Sequence, residues 1–231
     1  MENFSILEKS IGFTFKNKDL LLQSTTHRSY LNEHPDSKCG HNERLEFLGD
    51  AVLEIIVTEN LYNRFPDTPE GDLTNWRASL VNAKMLAVVG AKIKLEKFIL
   101  LSRGESKDSN SKARQYILAN AVEALIGAIY LDQGIKGAKK FVEKFILAEL
   151  DGILSSKSYL DPKSRFQEKS QDEFGVTPHY KVLSESGPDH AKIFEVGLYL
   201  NEELVSAGRG ASKQEAQVEA AQKGLENKGW E

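Results

Sequence analysis

The 231-residue chain has a single cysteine, Cys39. An internal disulfide is excluded, and a reducing, cytoplasmic setting is expected. Long apolar runs are also missing. The segment AVLEIIV at 51–57 falls well short of the roughly 20 residues that cross a bilayer, so no membrane partner is expected. The opening MENFSILEKS has no basic stretch ahead of an apolar core, so no secretory leader is expected. There is no glycine-rich nucleotide loop ending in Gly-Lys-Ser/Thr. His34, Cys39 and His41 lie near one another but match no common zinc spacing and lack a fourth ligand. Nor is there an excess of positive charge: 30 Lys and Arg stand against 34 Asp and Glu, a net of −4. Nucleic-acid binders are more often basic. A site rich in carboxylates lowers net charge, however, while the cations it holds restore attraction for phosphate. The objection is sharper over 161–231, where 9 Lys and Arg face 13 Asp and Glu. Any contact with a polyanion there needs a local basic patch.

What is present is helical periodicity, then a change of character. Leu45 to Tyr62 is dense in Leu, Val, Ile and Phe, with charges every three or four residues, and Pro66 and Pro69 end it. The pattern predicts further helix from Gly71 to Leu101, in two pieces. It also predicts helices over Gln115–Leu131 and Gly137–Leu154, broken at Asp132-Gln133-Gly134. The polar stretch 102–114 has no apolar period and reads as a loop, in which Lys112 and Arg114 are either solvated or available to a polyanion. No strand-like alternation precedes residue 155. After a polar linker, Phe166–Phe174 reads as helix. Period-two runs follow at His179–Ser186, Lys192–Leu200 and Glu203–Gly208, with turns at 187–190 and 201–203. Ser212–Asn227 is an Ala-rich helix. The tail is α-β-β-β-α, enough for a small domain.

The strongest local signal is HNERLEFLGD at 41–50. On a helix, Glu43, Glu46 and Asp50 fall within an arc of roughly 60°. Stacked carboxylates repel, and beside Leu45, Leu48 and Val52 they are costly to desolvate. A bound cation removes both penalties. Asn120 and Glu123 share a face of ILANAVEALIGAIYLD, and Glu70 opens PEGDL. Oxygen donors without His or Cys suit Mg²⁺ or Mn²⁺, and two such ions serve phosphodiester hydrolysis. The same spacing also describes a solvated face paired with Arg44 and Arg77, with Glu54 as its solvated end.

HNERLEFLGD resembles the signature of the ribonuclease III family, nearly unbroken over ten residues. EGDLTNWRASLV (70–81) and ILANAVEALIGAIYLD (117–132) resemble the family's other two blocks, in the same order, and 155–231 resembles its double-stranded-RNA-binding domain. The resemblance implies an all-α nuclease domain at 1–154, a linker at 155–160 and a small α+β double-stranded-RNA-binding domain at 161–229. It implies a homodimeric, Mg²⁺-dependent endoribonuclease (Mn²⁺ as the alternative) acting on double-stranded RNA. The products would carry 5′-phosphate and 3′-hydroxyl ends, in ribosomal and other RNA processing. Asp50 and Glu123 become catalytic, Glu46, Asn120 and Glu123 metal-binding, and Glu43 and Glu70 supporting acids. Phe47 becomes a dimer contact, although spacing alone makes it ordinary core. One departure stands out: Asn120 replaces a usual Asp, keeping a carbonyl oxygen but losing the charge. That substitution supports an alternative, a non-cleaving double-stranded-RNA-binding protein.

A-form RNA hides its base edges, so a reader of duplexes contacts 2′-hydroxyls in two minor grooves and the phosphates between them. The resemblance assigns the first contact to Gln167 and Glu168. Pro188 and His190 make the second. Ser212 and Lys213, with free N–H groups at the start of the last helix, make the third. Gln214 stands where a second basic residue is common.

Overall fold

The computed structural model describes residues 4–107, 112–156, 159, 161–188 and 191–230. The chain divides into two compact units, Met1–Tyr159 and Leu160–Glu231. Among the described residues no helix is long and apolar enough to cross a membrane.

The first unit is helical: α1 (Phe4–Ile11), α2 (Lys18–Ser24), α3 (Arg28–Glu33), α4 (Glu43–Arg64), α5 (Glu70–Val81), α6 (Ala83–Lys92), α7 (Arg103–Lys107), α8 (Lys112–Phe145) and α9 (Leu150–Ser156). Single 3₁₀ turns lie at Leu95–Phe98 and Leu147–Glu149. Helices α4 and α8 form the centre. Leu45, Val52, Leu53, Ile56 and Val57 of α4 bury against Leu118, Val122, Leu125, Ile126 and Ile129 of α8. Their backbones touch at two glycines. A Cβ on Gly49 would lie 1.8 Å from the carbonyl oxygen of Glu123, and one on Gly127 would lie 2.2 Å from that of Leu45. The second half of α8 returns Phe141, Val142 and Phe145 to the same core. The turn that makes this possible is at Gly134, with φ 69° and ψ −174°, a backbone state that only glycine adopts without strain. The expected break at 132–134 lies there.

The start of α4 is tied down by main chain. Asn42 N donates to Thr26 O at 2.9 Å, while Leu100 N donates to Thr25 O at 2.8 Å and His27 N to Leu100 O at 3.1 Å. Of the stretch 102–114 expected as loop, residues 108–111 lie outside the described residues and the rest departs from it. Ser102 Oγ accepts from Glu105 N at 3.3 Å and starts α7, a single turn made by a cap and not by an apolar face. Likewise α8 begins at Lys112, three residues before its apolar period. The expected linker at 155–160 opens inside α9, which continues to Ser156.

The second unit runs α10 (Pro162–Phe174), β1 (His179–Ser186), β2 (Ile193–Leu200), β3 (Glu203–Gly210) and α11 (Lys213–Lys228). The strands form an antiparallel sheet in the order β1-β2-β3. Phe166, Leu198, Leu200, Ala220, Ala221, Leu225 and Trp230 make its core. Asp161 caps α10 by accepting from Ser164 N at 3.2 Å, with Pro162 in the first turn. Alanine is what lets α11 lie on the sheet. A Cβ on Gly208 would come within 2.3 Å of Ala216 O and Ala220 N. Ser206 Oγ donates to Ala220 O at 2.6 Å and completes the contact.

Gly49→Ala tests the α4–α8 crossing. In an open helix this change stabilises by up to about 1 kcal/mol. Here the new methyl forces two backbones apart, an overpacking cost of about 1–3 kcal/mol or more. The expected outcome is a lower denaturant midpoint for the nuclease unit; an unchanged or higher midpoint shows that the helices do not cross this closely.

Candidate active site and nucleic-acid interface

The glycine crossing decides which side chains meet. Helix α4 presents Glu43, Glu46 and Asp50; α8 presents Asn120 and Glu123 one helical turn apart. Glu46 and Glu123 are half-buried, and Asp50 is exposed at the rim. Burial, followed by the negative charges of Asp50 and Glu46, pushes the Glu123 carboxyl up to about 8. Burial and then Glu43 raise that of Glu46, against an opposing hydrogen bond from the Asn120 side chain, with Asp50 adding a smaller upward push. Five of the sequence-predicted residues therefore interact: Glu43, Glu46, Asp50, Asn120 and Glu123.

Glu43 also has partners outside this group. Its carboxylate lies 3.4 Å from Arg28 Nη1 and 3.7 Å from His41 Nδ1. Glu70 opens α5 and accepts from Thr74 Oγ1 at 2.9 Å. With Thr58, Tyr62 and Arg77 it lines a hollow of about 230 Å³. Glu54, its side chain 41% exposed, pairs with Arg77, whose Nε lies 3.2 Å away, as the reading of a solvated, paired face expects at this end. Arg114, one of the cations of the polar stretch, is packed at 3.1 Å against Glu96, its side chain 14% exposed.

The donor set is one of oxygens, half-desolvated and mutually repelling, which a hard divalent cation suits in chemistry and in sign. Among the described residues, no three Asp, Glu, His or Cys side chains stand close enough together to hold a metal ion as they are. Divalent metal fits the chemistry of these donors, although the described side chains as they stand do not form a ligand cluster. Sequence reasoning left three positioning residues unassigned. Gly49 and Gly127 set the distance between the helices, and buried Asn42 anchors the start of α4. A glycine inside a strongly periodic helix was the available signal for the first two.

Phe47 is 81% exposed on α4, so the core reading does not hold for the single chain. It borders a hollow of about 600 Å³ with Leu20, His41, Leu48 and Leu131.

In the second unit Gln167 and Glu168 are exposed on α10, and Pro188 is exposed in the β1–β2 connection. His190 lies outside the described residues. At the start of α11 the amides are less free than expected. Ser212 Oγ accepts from Glu215 N, and Glu215 Oε2 accepts from Ala211 N, each at 3.1 Å. This reciprocal cap puts an acidic side chain where phosphate was expected. Lys213 Nζ lies 5.5 Å from the centre of the Phe194 ring and 3.4 Å from Glu185 Oε1.

Comparison with known proteins accounts for both units. The family described as ribonuclease-III-like matches residues 17–150, and the double-stranded RNA binding motif matches 162–228. Ribonuclease 3 of Carboxydothermus hydrogenoformans is 46% identical over 225 residues, 97% of this chain and 95% of that one. Ribonuclease 3 of Dehalococcoides mccartyi is 41% identical over 226 residues, covering 98% and 95%. Among solved structures, the nuclease domain of ribonuclease III from Campylobacter jejuni, described for flexibility in a region involved in dimer formation, is 42% identical. It covers 63% of this chain and 97% of its own length, with a TM-score of 0.57. Matched along nearly its whole length, with both units accounted for, this chain belongs to the ribonuclease III family, as a bacterial-type nuclease whose nuclease domain is followed by a double-stranded-RNA-binding domain.

Proposed function

We propose that the protein is a homodimeric, divalent-metal-dependent endoribonuclease that hydrolyses double-stranded RNA in ribosomal and other RNA processing, in the cytoplasm. The observation that carries the reading is the half-buried Glu46–Asn120–Glu123 group with Asp50 at its rim, held by the glycine crossing of α4 and α8. We assign the nuclease domain to 1–154, the linker to 155–160 and the RNA-binding domain to 161–229. Gln167, Glu168, Pro188, His190, Ser212 and Lys213 are assigned to RNA.

Glu46, Asn120 and Glu123 would hold Mg²⁺, or Mn²⁺, with Glu43 and Glu70 supplying supporting negative charge. When bound, the ion supplies Lewis acidity toward the phosphate and eases ionisation of water. Asp50 and Glu123 handle the protons: one leaves the water as its oxygen bonds to phosphorus, and one reaches the 3′ oxygen as the P–O3′ bond breaks. The products carry a 5′-phosphate and a 3′-hydroxyl. Asn120 offers a neutral carbonyl oxygen, so it contributes less to cation affinity than Asp would. Its hydrogen bond to Glu46 also favours the ionised form of that neighbour.

Labelled duplex RNA incubated with Mg²⁺ or Mn²⁺ tests the activity. Cleavage is expected with the chain as it stands. Asn120→Asp is expected to lower the metal concentration for half-maximal rate roughly tenfold, equal to about 1.4 kcal/mol. Glu123→Gln is expected to slow cleavage by about 10²–10⁴-fold while leaving duplex binding intact. Duplex binding without cleavage by either the wild type or Asn120→Asp favours the non-cleaving alternative.

The same site predicts opposite effects on stability and activity. In chelator, Glu123→Gln removes a carboxylate that is desolvated and repelled, so the thermal midpoint of the nuclease unit is expected to rise. Added Mg²⁺ should then stabilise this variant less than the wild type. Equal gains from Mg²⁺ would remove Glu123 from the ligand set.

Phe47 is assigned to the dimer contact. Burying an exposed Phe contributes about 1.5–3 kcal/mol, and a twofold interface uses it twice. Phe47→Ala is expected to weaken the dimer by about 10²–10⁴-fold in sedimentation equilibrium. A wild-type monomer, or an unshifted dissociation constant, rejects the assignment.

A further inference from the structure

The second unit meets a polyanion while carrying 13 Asp and Glu against 9 Lys and Arg over 161–231. The structure locates part of the opposing charge at the surface assigned to phosphate. Glu185, near the end of β1, has Oε1 3.4 Å from Lys213 Nζ and Oε2 3.9 Å from Lys192 Nζ. The two lysines come from different elements. Lys192 leads into β2, and Lys213 opens α11. One carboxylate thus spans two ammonium groups, an oxygen to each. A phosphodiester likewise presents two charged non-bridging oxygens.

Strand register fixes this arrangement. Glu185 is the cross-strand partner of Phe194, whose ring Lys213 also approaches. Neighbours across a ladder share a face, so carboxylate and ring hold the lysine side by side. If the carboxylate leaves, the ring still orients the ammonium toward the same surface. The Glu185 side chain is 39% exposed and can leave without disturbing the core.

We propose that Glu185 is an internal stand-in for an RNA phosphate, holding Lys213 and Lys192 until the duplex displaces it. The proposal rests on the reading of this unit as a binder of double-stranded RNA. Exposed ion pairs are weak, so the restraint is a few-fold brake on affinity and not a lock. It also hides a charge from the ionic-strength dependence, because a cation already paired internally releases fewer counterions on binding.

The test is fluorescence anisotropy of the full-length protein with duplex RNA across a potassium chloride series, in EDTA to prevent cleavage. Glu185→Gln is expected to bind roughly two- to fivefold tighter than wild type. Its plot of log affinity against log salt should steepen by about one unit. Glu202→Gln, which removes the same charge from the β2–β3 turn, controls for net charge and is expected to gain less. In a Lys213→Met background the gain from Glu185→Gln should shrink toward that of the control. An unchanged affinity for Glu185→Gln, or a gain equalled by Glu202→Gln, overturns the proposal. Failure of both wild type and Glu185→Gln to bind duplex at low salt overturns the RNA-binding reading, and the proposal falls with it.

Discussion

Two helices can bring carboxylates together only if their backbones are close enough for short side chains to meet. That constraint is satisfied at Gly49 and Gly127, where each residue leaves room for a carbonyl of the opposite helix. Helix axes separated by ordinary side chains lie 8–10 Å apart, and the missing methyl groups bring them nearer. Around this contact the apolar faces of α4 and α8 pack together, with Leu45 and Val52 flanking Gly49 and Leu125 and Ile126 beside Gly127. The half-burial of Glu46 and Glu123, and hence their resistance to ionisation, follows from the same approach. Chemistry and packing cannot be separated here, because the apolar seam that stabilises the pair also desolvates the acids.

The second unit solves a similar problem with different residues. A sheet of three strands has little area to bury, and α11 must lie flat against it. Ala216, Ala220 and Ala221 have no measurable exposure, and Gly208 removes the last obstacle on β3. Small side chains at the contact leave the outer face of α11 free for charge. Charges are also paired within the unit: Lys223 with Glu219 on α11, and Arg209 of β3 with Glu195 of β2. Depressed carboxyl groups at Glu195 and Glu219, caused first by their hydrogen bonds, record the same pairing. Net acidity is compatible with the proposed surface for phosphate because Glu185, Glu195 and Glu219 are each partnered with cations.

Features repeating along one element were legible in the sequence. The α4 period, the break before Gly134 and the α-β-β-β-α order of the tail all follow from spacing. The face shared by Glu43, Glu46 and Asp50 was legible for the same reason. Helices α1, α2 and α3, of six to eight residues, are shorter than the window in which a helical period can be recognised. Helix α7 depends on the Ser102 cap and has no period at all. Contacts between elements were not legible. Spacing does not say that Glu43 meets Arg28, or that Gly49 faces Glu123 and not solvent. Phe47 shows the limit from the other side: its local pattern suits a core residue, and only the packed chain leaves it exposed.

The turn at Gly134 bears on size. Thirty-four residues of straight helix, the extent of α8, would measure about 51 Å. A globule of 159 residues, the length of the first unit, is roughly 40 Å across. An unbroken α8 would project beyond the body it builds and leave Phe141 and Phe145 without neighbours. The kink at Gly134 divides the rod into two lengths, and the second brings Phe141 and Phe145 into the core built on the first. A residue with no side chain at all therefore sets how far the nuclease unit extends.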